Sequence, residues 1–388
     1  MFTKKTVHDI DVKNKTIVLR AMLNVPIKDG KVGDKMRLKA ALPTINYLIS
    51  KGAKIILISH HSHEGQSLEP VAGALSELVG RPVAFASDCI GEVALAAVKA
   101  LPSGGLLMLE NLRFHPEEEA NDEEFARTLA SYGDIYVNDD FTTCHRSHAS
   151  LVGIPKFIPA VAGLEVEEEV NTITSSIDNP KRPLVAIAGG AKISTKVPII
   201  SFLLDKVDVL FVGGAMANTF LLAKGLEVGN SLVELDQVET AKQIIKSAEE
   251  KGKTLLLPID VVVTTDVKEA LNVRVMLTGD VGIDDIIADL GPMSVLQLNE
   301  AIKPEGSVIW NGPIGIAEQK EFANGTEMVA EEIISSGAFS IVGGGDTADY
   351  VDGAGLADKF GFVSTGGGAS LELMSGNTLP GIAALLDK

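Results

Sequence analysis

A chain of 388 residues, 46% hydrophobic and 22% charged, has the length of two or three domains and the composition of a globular protein with a sizeable core. Its net charge of −18 argues against non-specific nucleic-acid or anionic-membrane binding, and no apolar stretch reaches the ~18 residues needed to span a bilayer. The N-terminus, MFTKKTVHDIDVKNK, lacks the apolar run of a secretory signal, so the expectation is a cytoplasmic protein with no nucleic-acid or membrane partner, its two cysteines, Cys89 and Cys144, being free thiols.

Along the first half, Ile17–Leu19, Ile55–Ile58, Leu106–Leu109 and Ile135–Val137 read as strands. Leu42–Lys51, Pro70–Leu78 and Glu123–Tyr132 read as helices between or beside them. Residues 163–180 read as a connecting helix. Its start is rich in acids, which the helix dipole favours, and Asn179-Pro180 ends it. The second half repeats the scheme, with strands at Leu184–Ile187, Val209–Val212, Thr254–Leu257, Val308–Trp310 and Ser340–Val342. Helices fit Ile199–Leu204, Gln237–Lys251, Met293–Ala301 and Gly325–Ser335. Strand–helix alternation of this kind implies parallel α/β sheets, here in two lobes.

Four glycine turns close apolar runs in the second half. They are Leu184–Lys192 (LVAIAGGAK), Ser307–Pro313 (SVIWNGP), Ile341–Thr347 (IVGGGDT) and Val363–Ser370 (VSTGGGAS). Glycine lets backbone N–H groups converge on one space, and such nests bind phosphates. Several of them at the carboxyl edge of a parallel sheet would form a nucleotide site. The chain has neither GxxxxGK[ST] nor GxGxxG, which excludes a Walker loop and weakens a dinucleotide reading.

Lys192 and Lys196 straddle an expected helix start. They either face one phosphate chain or are solvated surface lysines. Asp346 stands at an expected helix N-terminus, as a plain cap or as a ligand for Mg²⁺ on phosphates. Glu318 either contacts a ribose or is exposed. All seven histidines and six of the eight arginines fall within the first 148 residues. Arg20, Arg37, Arg113 and Arg146 flank strand-like runs or turns. They form surface ion pairs or converge on a small, highly negative acid. The histidine spacings match no standard zinc pattern.

These segments, in this order, resemble phosphoglycerate kinase over nearly the whole chain. The resemblance is carried by Asn24-Val25-Pro26, RLKAALPTI at 37–45, ENLRFHP at 110–116, HRSHAS at 145–150, KRPLVAIAGGAKISTK at 181–196, WNGP at 310–313, GGGDT at 343–347 and STGGGASLE at 364–372. It implies two Rossmann-like α/β lobes with parallel sheets, 1–162 and 181–372, joined by the helix at 163–180 and a hinge. The segment from about 373 to 388 would return to the first lobe. The implied reaction moves a phosphoryl group between ATP and the carboxylate of 3-phosphoglycerate, with ADP and 1,3-bisphosphoglycerate on the other side. Mg²⁺ is required, the lobes close to exclude water, and the protein is a monomer.

Carried over position by position, Arg20, Asn24, Arg37, His60, His63, Arg113, His145 and Arg146 would form the acid site, with Arg37 reaching the transition state. Lys192 would neutralise the transferring phosphoryl group and Lys196 the nucleotide phosphates. Gly344, Gly345 and Thr347 would offer donors, Asn311 would join them from WNGP, and Asp346 would hold Mg²⁺. Gly291 and Glu318 would line the nucleoside pocket.

Departures from the family pattern concentrate in the acid site. Met22 stands where the family has an aspartate that accepts from the substrate hydroxyl. His63 replaces an arginine for the substrate phosphate, and Glu64 adds a negative charge beside it. Asp140 and Thr142 replace small residues, and Ala317 replaces a phenylalanine in the other half. A lost hydrogen bond to a charged group costs ~1.5–3 kcal/mol, so two such losses would weaken acid binding by roughly 10²–10⁴-fold. Histidine for arginine also adds a pH dependence near roughly 6–7. The expectation is a kinase with an impaired or altered acid site and a near-normal nucleotide site. Its rivals are a catalytically silent nucleotide-binding paralogue and a kinase for another small carboxylate.

Overall fold

The computed structural model describes residues 2–33, 35–62 and 65–388; the acid-site candidate His63 lies outside the described residues, together with Asp34 and Glu64. The chain divides into two compact units, Met1–Asn171 with Thr378–Lys388, and Thr172–Asn377.

In the first unit the apolar runs are strands because a parallel sheet is covered on both faces. Six strands lie in the order Val83–Ala86, Leu106–Leu109, Lys54–Ile58, Thr16–Ala21, Ile135–Asp139, Ala160–Ala162, and all pair in parallel. Ile17, Leu19, Ile55, Leu57, Met108, Ile135 and Val137 share one face, where they form a core with Ile45, Leu48, Val71 and Leu75 of helices Leu42–Ser50 and Glu69–Val79. Side chains alternate along a strand, so Arg20, next to Leu19, points to the other face. The end of the chain is tied to the same unit: Lys5 N–H donates to Leu386 O at 2.7 Å, and Leu386 N–H donates to Ala160 O at 3.0 Å.

The second unit holds a sheet in the order Thr254–Leu256, Val209–Val212, Leu184–Ala188, Ser307–Asn311, Phe339–Gly343, Phe362–Val363, again all parallel. Val185, Ile187, Phe211, Val308, Trp310 and Val342 line one core face of it. A description of parallel sheets alone is incomplete. Asp260–Thr264 pairs antiparallel with both Arg274–Leu277 and Ile286–Leu290 in a separate three-stranded sheet.

Helix Leu164–Asp178 carries Glu165 and Glu167 in its first turn, as its dipole favours, and the division between units falls inside it. Helix Val197–Lys206 has Pro198 in its first turn, where the missing N–H has no partner to lose. Among the described residues no helix is long and apolar enough to cross a membrane.

Candidate functional site

The glycine turns of the second half fall at the carboxyl ends of neighbouring strands. Gly189-Gly190 follows Leu184–Ala188, Gly312 follows Ser307–Asn311, Gly344 follows Phe339–Gly343, and the run at 366–368 follows Phe362–Val363. A fifth, Gly213-Gly214 after Val209–Val212, belongs to the same edge. Sequence reasoning passed over it, although its apolar run closed by two glycines is the same signal. These turns touch backbone to backbone. Gly189 N–H donates to Asn311 O at 2.8 Å, and Gly190 N–H donates to Pro313 O at 2.9 Å. Gly312 has φ +97°, and a Cβ there would meet the Gly189 carbonyl oxygen at 2.2 Å, so only glycine fits.

Polar side chains knit the edge together. Asn311, 2% exposed, donates through Nδ2 to Gly343 O at 2.8 Å and accepts from Lys196 Nζ through Oδ1. Thr347 Oγ1 accepts from Gly312 N–H at 2.7 Å. Lys196 is partly buried. Burial lowers its ammonium pKa, and Asp346 offsets part of that shift, which places those two charges within reach of each other. Gly345–Gly353 is a helix with Asp346 exposed in its first turn, so its N-terminal N–H groups and a free carboxylate share one mouth. Lys192 is exposed ahead of Lys196, with its carbonyl accepting from Thr195 Oγ1 at 2.9 Å.

Beside this edge opens a cavity of about 380 Å³. Gly190, Gly214, Ile287, Ile314, Glu318 and Asp346 are among its lining residues, so Glu318 faces the cavity. Gly291 does not line it. Gly291 caps helix Pro292–Ala301, with its Cα face closed by the Asp260 carboxylate, and Leu290 forms the wall instead. Asp289, also in the wall, was not anticipated. It accepts from Gly325 N–H at 2.7 Å, yet burial outweighs its amide bonds and pushes its carboxyl up to about 7.

In the first unit the candidates also gather at strand ends. Arg20, 1% exposed, donates from Nη1 to Asp140 Oδ2 at 2.6 Å and to Ala21 O at 3.3 Å. Its Nε donates to Ser150 Oγ at 3.0 Å and its Nη2 to His60 Nδ1 at 2.9 Å. His60 is therefore neutral with its proton on Nε2, consistent with burial and the Arg20 charge holding its pKa well below the usual value. Arg113 pairs with Glu119 at 3.0 Å and lies within electrostatic range of Arg146 and Arg20. Arg146 is exposed and His145 half-buried in the turn that follows. Arg37, on helix Met36–Ala40, donates to Asn24 O at 2.7 Å, and Asn24 Nδ2 donates to Ser62 Oγ at 2.7 Å.

Arg113 is repelled by both Arg146 and Arg20, and an anion beside it relieves that cost. Two of the three also carry an internal carboxylate. Burial alone would raise Asp140, but the Arg20 guanidinium and the Thr142 and Thr143 hydroxyls outweigh it and hold its carboxyl below the usual range. His148, where burial acts first and Arg113 and Arg146 add to it, falls to about 4 and is neutral at pH 7. Met22 is fully buried and makes this strand end apolar.

A family model described as phosphoglycerate kinase matches residues 7–377. The chain is 46% identical to a phosphoglycerate kinase of Pelotomaculum thermopropionicum over 99% of its own length and 100% of that protein. It is 47% identical to one of Thermosynechococcus vestitus over the same shares. Among solved structures, it resembles phosphoglycerate kinase from Coxiella burnetii with a TM-score of 0.90 at 37% identity, over 98% of each chain. It resembles that of Pyrococcus horikoshii with a TM-score of 0.85 at 32% identity, over 99% of this chain and 98% of that one.

Proposed function

The chain belongs to the phosphoglycerate kinase family, and on that premise we propose that it moves a phosphoryl group between ATP and the carboxylate of 3-phosphoglycerate, the second unit holding the nucleotide and the first the acid. The observation that carries this reading is the row of glycine turns on adjacent strand ends beside the cavity of about 380 Å³, which falls in the size range of ligand pockets. The adenosine enters the cavity near Glu318. Its phosphates lie along the glycine edge, taking backbone N–H groups at 344–345, the Lys196 ammonium and the N-terminus of helix Gly345–Gly353. Lys192, exposed at the same edge, is free to follow the transferring phosphoryl group.

Asp346 fits a magnesium ligand, because its exposed carboxylate shares the mouth of the cavity with the phosphate donors. When bound with the nucleotide, that ion supplies charge neutralisation of the phosphate chain. In the first unit, Arg113 and Arg146 bind the acid's anionic groups, and Arg37, anchored on Asn24 O, presents its remaining donors. We further read the protein as a cytoplasmic monomer. The silent paralogue is not favoured, since the family relationship runs the full length and Arg37, Lys192, Lys196 and Asp346 are all present. A coupled assay of the purified chain with MgATP and 3-phosphoglycerate tests the reading. Saturable ADP formation that needs both substrates supports it; no turnover while MgADP still binds by calorimetry overturns it.

A further inference from the structure

The Arg20–Asp140 pair is the most deeply buried ion pair among the described residues, each partner's side chain being 1% exposed. Asp140 is the first residue after strand Ile135–Asp139, and that strand lies beside Thr16–Ala21 with Arg20 opposite Asn138. The parallel register therefore delivers the carboxylate directly to the guanidinium. Its other oxygen, Oδ1, accepts from Thr142 Oγ1 at 2.5 Å, so the hydroxyl steadies the carboxylate against the guanidinium. With Ser150, Ala21 and His60 also engaged, four of the five N–H donors of Arg20 are spent inside the protein. On the same strand end, Met22 carries no charge.

We propose that Asp140 is a specificity-determining residue that withholds Arg20 from the acid substrate. Position 22 offers the strand end no carboxylate, whereas position 140 holds one that neutralises a guanidinium. Arg20 then acts as a positioning residue, and the acid is bound by Arg113, Arg146 and Arg37. The ligand class is a small phosphorylated carboxylate, bound more weakly than the number of arginines implies. This inference rests on the acid-site assignment made above.

Calorimetric titration of the full chain with 3-phosphoglycerate, and separately with MgADP, tests it in Asp140→Asn and in Asp140→Ala. The first variant keeps a neutral acceptor beside Arg20, so it carries the test if an unpaired Arg20 destabilises the second. Releasing Arg20 is expected to tighten acid binding by about tenfold, or about 1.4 kcal/mol. The Michaelis constant for the acid should fall in step while that for MgATP stays put, a split that a merely structural role would not produce. Acid binding equal to or weaker than wild type in both variants, with MgADP binding intact, overturns the inference alone. Acid binding absent from wild type and both variants overturns the acid-site assignment as well.

Discussion

Single residues at the glycine edge separate binding from folding. Lys196 is costly to bury, and in the proposed site its charge faces a phosphate. Lys196→Met should weaken MgADP binding by roughly 10–100-fold, or about 1.4–2.8 kcal/mol, while relief of the buried ammonium offsets the hydrogen bond lost at Asn311 Oδ1 and keeps the melting temperature nearly level, as calorimetry and thermal denaturation would show. Two glycines give the converse contrast. Gly345 has open space around its Cα and sits in helical conformation, so Gly345→Ala should fold normally. Gly312→Ala would force a left-handed residue into the Gly189 backbone, at a cost of about 3 kcal/mol or more. Equal melting temperatures for the two variants would contradict this account of the edge. The lysine, the aspartate and most of these glycines were legible in the sequence because each follows an apolar run at a fixed offset. The packing of Gly291 against Asp260 was not legible, because Asp260 comes from the separate antiparallel sheet and no spacing along the chain records that contact.

Elements were legible where burial makes them so. The central strands of both sheets and the long amphipathic helices lie within a residue or two of their expected bounds, since continuous apolar runs and 3.6-residue periods have few alternatives. Missed elements share physical reasons. Strand Arg274–Leu277 is an edge, exposed at Val275 and Leu277, and carries little pattern. Met216–Ala223 is buried nearly all round and shows no polar face. Gly345–Gly353 and Gly368–Met374 begin in glycines, poor helix formers, and exist because tertiary packing overrides propensity.

One element carries a pH prediction. Asp139 Oδ1 accepts from Glu165 N–H at 3.0 Å at the start of helix Leu164–Asp178, and burial pushes its carboxyl up to about 7. An unfolded aspartate titrates near its ordinary value of 3.8, so the folded chain binds the extra proton between about 4 and 7. Its ionisation therefore removes stability as pH rises through that window. Asp139→Asn, which has no proton to lose, should gain on the order of 2–4 kcal/mol relative to wild type on going from pH 4 to pH 8. Denaturant titrations of the two proteins at both pH values measure this, and a pH-independent difference would contradict it.

For the whole molecule, the two units differ in how free their charged groups are. The second unit sets glycine turns, Lys196 and an exposed carboxylate beside a cavity, whereas in the first unit two of three arginines hold internal carboxylates and Met22 makes a strand end apolar. The composition recorded this asymmetry, since the arginines and histidines crowd into the first 148 residues. It could not record that Asp140 reaches Arg20, because that depends on which strands are neighbours. The most direct test of an intact nucleotide site beside a weakened acid site is a steady-state assay with MgATP and 3-phosphoglycerate both varied, in wild type and in His63→Arg. The predicted result is an acid KM that falls by about tenfold or more in the variant, with the MgATP KM unchanged. An acid KM that does not move, or two constants that shift together, would contradict the account.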